Sequence, residues 1–135
     1  MLSYLANSVF PEIQIAVNQT ACFSMKPMRS HELDIVRIGR YLVDNPDRGV
    51  IYTVDKSRGL EVYVDADCSG VWNMADSTNA DNVLSRIRFV ISYAGCPVIW
   101  SSKLKTESAL STAEAEYIAM SQALREAFTV QRLAK

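Results

Sequence analysis

A chain of 135 residues has the length of one ordinary domain, or of parts of two. Its 49% hydrophobic and 21% charged content supports a real core and excludes wholesale disorder. Fourteen basic against fifteen acidic residues, a formal charge of −1, exclude a global cationic footprint for nucleic acid and leave room only for a local stripe.

Cys22, Cys68 and Cys96 are widely spaced and form no CxxC pair, which points to reduced thiols rather than a disulfide framework. With His31 as the single histidine, no zinc-ligand pattern is available. The apolar run Met1–Ala6 lacks a basic flank, and no apolar stretch approaches a membrane span. The expectation is therefore a cytoplasmic or nuclear chain, not secreted and without a membrane partner.

The segment from about Ser3 to Phe23 is helical in spacing, through Ile13, Ala16, Val17 and Ala21. Pro11 and Glu12 suit the first turn of a helix that ends near Lys26-Pro27. A second helix is expected from about Ser30, with Leu33, Val36, Arg37, Arg40 and Tyr41 on one side and Asn45-Pro46-Asp47-Arg48-Gly49 as the stop. His31 lies in this segment and reads as a cap or surface residue. Periodicity then switches to that of strands. Val50–Val54 and Leu60–Asp65 are candidate strands on either side of the turn Asp55–Gly59. Cys68–Asn82 reads as a loop. Arg86–Tyr93 and Val98–Ser102 are strands joined by the turn Ala94-Gly95-Cys96-Pro97. A long helix closes the chain, from Ser111 to about Ala134, with Ser111 as N-cap and Glu114 at the capping-box position.

Two places concentrate carboxylates. Asp65 and Asp67 stand at the end of a strand, two apart, as a start for a divalent-metal site or simply as a polar turn. At about 100° per residue, Glu116 falls at the centre of an apolar stripe formed by Ala113, Met120, Ala123, Ala127, Val130 and Ala134, while Glu114 falls on the wet face. A carboxylate on a buried stripe requires a partner, whether an arginine such as Arg86, an escape route to the sheet edge, or a metal shared with Asp65. No GxSxG elbow and no glycine-rich phosphate loop is present.

Taken together, several motifs resemble those of copia-type retrotransposon Pol polyproteins. Ser111-Thr112-Ala113-Glu114-Ala115-Glu116-Tyr117-Ile118-Ala119 and Tyr63-Val64-Asp65-Ala66-Asp67-Cys68-Ser69-Gly70 are similar to the hallmarks of the ribonuclease H segment, with cysteine where the family has tryptophan. Gly95–Leu104 resembles the segment between them. Leu2–Asn7, Phe10–Ile13 and Ala16-Val17 look like the tail of the reverse transcriptase, and His31–Tyr41 and Gly49–Tyr52 like the connection after it.

The resemblance implies an α/β chain in two parts. Residues 1–57 would be the thumb or connection end of the reverse transcriptase, contributing two helices. Residues 58–135 would be a partial ribonuclease H-like fold of antiparallel strands and a long helix, truncated at its C-terminus. It also implies ancestry in two-metal cleavage of RNA–DNA hybrids, with Asp65 and Glu116 as catalytic metal ligands, Asp67 beside them, and Mg2+ or Mn2+ as cofactor. The family places a further essential aspartate after this helix, so the isolated polypeptide is expected to show neither nuclease nor polymerase activity. Where the family has Ser-Arg-Thr-Gly, this chain has Ser85-Arg86-Ile87-Arg88, a departure that suggests drift or an altered hairpin. The alternative role is a non-catalytic module that binds nucleic acid weakly, through Arg86, Arg88, Lys103 and Lys105, or associates through an exposed sheet edge or face.

Overall fold

The computed structural model describes residues 1–67, 86–104 and 111–134. Residues 1–51 and 52–135 form two compact units.

In the first unit, α1 (Leu2–Ser8) leads through a 3-10 turn at Pro11–Ile13 into α2 (Gln14–Cys22), and α3 (Arg29–Asp44) follows. The leading helix is additional to the two expected. Pro11 and Glu12 do open the second helical stretch, where a missing N–H costs nothing because that donor is an orphan anyway. The core is Ala6, Ile13, Val17 and Ile38, flanked by Leu2, Leu5, Phe10, Tyr41 and Leu42. On α3 the inward side is therefore Ile38 with Tyr41 and Leu42, whereas Leu33 and Val36 are exposed. The inward stripe is rotated from the expected one because Ile38 is the residue that meets α2 and the 3-10 turn. Asn45 Nδ2 donates to the Tyr41 carbonyl at 2.9 Å and helps to close α3.

In the second unit, β1 (Leu60–Asp67), β2 (Arg86–Tyr93) and β3 (Cys96–Leu104) form an antiparallel sheet in the order β1-β2-β3, and α4 (Thr112–Leu133) packs on it. This is the expected α/β succession of helices, antiparallel strands and a long helix. The candidate strand Val50–Val54 does not form. Its neighbour Asp55 is held instead by single bonds, donating its N–H to the Ala94 carbonyl at 2.8 Å while Ala94 donates to Gly59 at 3.1 Å. The expected loop Cys68–Asn82 lies outside the described residues.

The β2–β3 turn places two residues at positive φ, Ala94 at 52° and Gly95 at 78°, as two-residue hairpin turns require. Strand alternation separates two sheet faces. Ile87, Phe89 and Ile91 of β2 meet Ala119, Ala123 and Ala127 of α4, with Leu60, Val62 and Ala66 of β1 alongside. Small side chains four apart let the helix lie close on the bulky β2 row. Asp65 therefore belongs to the opposite face.

Candidate functional site

On that opposite face the register sets Asp65 of β1 directly across from Arg88 of β2, and Asp67 across from Arg86. Arg88 Nη1 donates to Asp65 Oδ2 at 3.2 Å, with the Asp65 side chain 65% and the Arg88 side chain 37% exposed. An exposed pair of this kind contributes about 0–1 kcal/mol to stability. Arg88 in turn faces Ser102 of β3. Ser102 is buried and accepts from Arg86 Nη1 at 3.4 Å. The next row across the sheet is Tyr63, Val90 and Trp100.

Two expectations about cations change here. Arg86 is only 2% exposed, and Arg88 is committed to Asp65. Lys103 stands opposite Ile87, and so on the other face, and Lys105 lies outside the described residues. Strand alternation thus divides the basic patch expected from Arg86, Arg88, Lys103 and Lys105.

Helix α4 begins as the sequence predicts. Ser111 is its N-cap, accepting from the Glu114 N–H at 3.2 Å. Glu116, however, is exposed rather than buried. The buried line is Ala115, Ala119, Ala123 and Ala127, and Ala113 and Met120 of the expected stripe are exposed. The helix has a second apolar line, Tyr117, Met120, Leu124 and Phe128, all exposed. An apolar centre taken over both lines falls between them, at Glu116. Only one line touches the sheet. Glu116 therefore faces water and has no need of the buried partner that its expected position demanded.

His31 does act as a cap, its Nδ1 accepting from the Met28 N–H at 3.1 Å. Its ring stacks on Phe23 with centroids 4.2 Å apart.

Among the described residues, no group of three or more His, Cys, Asp or Glu side chains is arranged to hold a metal ion. Hard divalent cations take several carboxylate oxygens at fixed positions. The described donors do not fit that requirement: Asp65 is engaged by a guanidinium and Glu116 stands exposed on α4. Arg88, expected in a basic patch, is instead the partner of Asp65, a pairing missed from sequence. Its signal was the pattern Asp-Ala-Asp on one strand and Arg-Ile-Arg on the next, acids and bases at the same two-residue interval.

Comparison with known proteins places the chain. It is 32% identical over 116 residues to the retrovirus-related Pol polyprotein from transposon RE1 of Arabidopsis thaliana, covering 86% of this chain and 7% of that protein. To the retrovirus-related Pol polyprotein from transposon TNT 1-94 of Nicotiana tabacum it is 30% identical over 131 residues, 97% of this chain and 9% of that one. To the secreted RxLR effector protein 161 of Plasmopara viticola it is 30% identical over 126 residues, covering 93% of this chain and 83% of the effector. Over most of its length the chain is homologous to a short stretch of retrovirus-related Pol polyproteins from transposons. This Pol-related chain spans less than a tenth of the two Pol polyproteins named. No protein-family profile matches it, and no solved structure does.

Proposed function

We propose that this Pol-related chain is a copia-type piece spanning the end of a reverse transcriptase and the first half of a ribonuclease H-like domain. It associates with nucleic acid, RNA–DNA hybrid first, without cutting it alone. One observation carries this reading. The strand and the helix that hold the two most specific motifs form one core, Val62 and Ala66 of β1 packing with Ala119 and Ala123 of α4. The family's implied chemistry is divalent-metal cleavage with Asp65, Glu116 and Asp67 as ligands. The paired Asp65 and the exposed Glu116 favour a chain that does not perform it unaided. Arg29, Arg37 and Arg40 are exposed on α3, but Glu32, Asp34 and Asp44 balance them and Arg37 pairs with Asp34 at 3.2 Å, so the association proposed is weak.

The test is a labelled RNA–DNA hybrid followed by fluorescence anisotropy and, in parallel, by gel with Mn2+ present. Binding that weakens steeply as salt rises, with the RNA strand intact, is expected. Hybrid cleavage abolished by Asp65→Asn overturns the non-catalytic part, and absence of binding at low salt overturns the association.

A further inference from the structure

The sheet face that carries the candidate acids already holds its own cations, which disagrees with the family-implied metal site. The register fixes Arg88 opposite Asp65, and the 3.2 Å bond from Nη1 to Oδ2 occupies one of the carboxylate oxygens a metal would use. Two rungs along the same ladder, Arg86 stands opposite Asp67, and its guanidinium is buried beside Ser102. Asp-Ala-Asp is thus set against Arg-Ile-Arg, one basic residue for each acid.

We infer that Arg88 is the resident cation of Asp65 and keeps divalent metal from binding there. A guanidinium is charged at every accessible pH and presents its donors in a rigid fork, so the neutralisation is permanent rather than pH-gated. A divalent ion seated on Asp65 must displace the Arg88 bond and then tolerate a unit positive charge a few ångströms away. Backbone pairing keeps the Arg88 Cα opposite that of Asp65, because separating the two positions requires β1 to slip on β2. A slip of one residue turns the apolar row of β1 away from α4.

This inference rests on the reading of the second unit as ribonuclease H-like, and its test is independent of hybrid binding. Mn2+ binding to the full chain is measured by electron paramagnetic resonance of the free ion. Wild type, Arg88→Gln, Arg88→Lys and Arg88→Gln with Asp65→Asn are compared. Arg88→Gln is expected to bind Mn2+ at least about tenfold more tightly than wild type, the effect expected for removing one adjacent positive charge. The gain should vanish in the double variant, and Arg88→Lys should behave as wild type. Equal affinity of wild type and Arg88→Gln, or a gain that survives Asp65→Asn, overturns the inference. If circular dichroism shows Arg88→Gln unfolded, the comparison of wild type with Asp65→Asn decides. Unchanged Mn2+ binding is then the expected result, and weaker binding in Asp65→Asn overturns it. Anisotropy with the hybrid is read separately, so failure of the metal prediction and failure of the association are distinguishable.

Discussion

At the scale of single residues, the turn before β1 depends on one carboxylate. Asp55 Oδ1 accepts from the Ser57 N–H at 3.0 Å and from the Ser57 hydroxyl at 2.6 Å. These two bonds, side-chain first, hold the Asp55 carboxyl below its ordinary 3.8, with nearby Arg58 adding to the effect. Three residues on, Glu61 accepts from Arg58 Nη2 at 2.8 Å and keeps that guanidinium more firmly protonated. A lowered folded-state value means the Asp55 charge favours folding above the unfolded carboxyl's pKa and ceases to do so as pH falls through the folded one. The melting-temperature gap between wild type and Asp55→Asn should therefore be open at neutral pH. It should close under acid, below the ordinary carboxylate range. Calorimetry across that range checks it, and a gap independent of pH contradicts it. The Asx-type turn is legible in Asp55-Lys56-Ser57-Arg58-Gly59, since aspartate and serine two apart favour this bonding. The pairing of Asp65 with Arg88 is not legible in the same way, because 23 residues separate them and nothing local sets which arginine faces which acid.

At the scale of elements, α4 is the best-signalled and also the most deceptive. Its start is local chemistry. Ser111→Ala removes the acceptor for the Glu114 N–H and should cost about 1 kcal/mol, measured by chemical denaturation. An unchanged midpoint would mean the cap adds nothing. Its face is not local chemistry. Alanines at 115, 119, 123 and 127 and the larger line of Tyr117, Met120, Leu124 and Phe128 are both apolar at helical spacing. Propensity and periodicity cannot rank them, and the assignment of Glu116 to a buried centre followed from merging the two. The alanine line wins because β2 presents Ile87, Phe89 and Ile91, bulky side chains that leave space only for small ones. The hairpin of β2 and β3 went the other way: its turn and strands show in the sequence itself, although the turn is Ala94-Gly95 alone and Cys96 and Pro97, expected in it, open β3.

At the scale of the whole molecule, residues 1–51 and 52–135 each contain their own core. The second depends on Ile91, which is fully buried. Ile91→Ala should destabilise this unit by about 2–5 kcal/mol through lost transfer energy and the cavity left behind. Denaturation followed by tryptophan fluorescence reports on the same unit, since Trp72 and the buried Trp100 both belong to it. A loss below about 1 kcal/mol would mean that the unit repacks around the gap. Strand and helix order were readable from the chain because each arises from spacing within ten or twenty residues.

The sequence by itself therefore determined the α/β succession, the caps, the hairpin turn and the Pol-related kinship, all of which reside in local patterns. Only the tertiary structure decided which side of α4 meets the sheet, which strand pairs with which residue, and hence that Asp65 sits across from Arg88 while Glu116 faces solvent. The physical reason is that these outcomes depend on contacts between elements. Matching side-chain size and alternation across a sheet selects among arrangements that the local sequence leaves nearly equal.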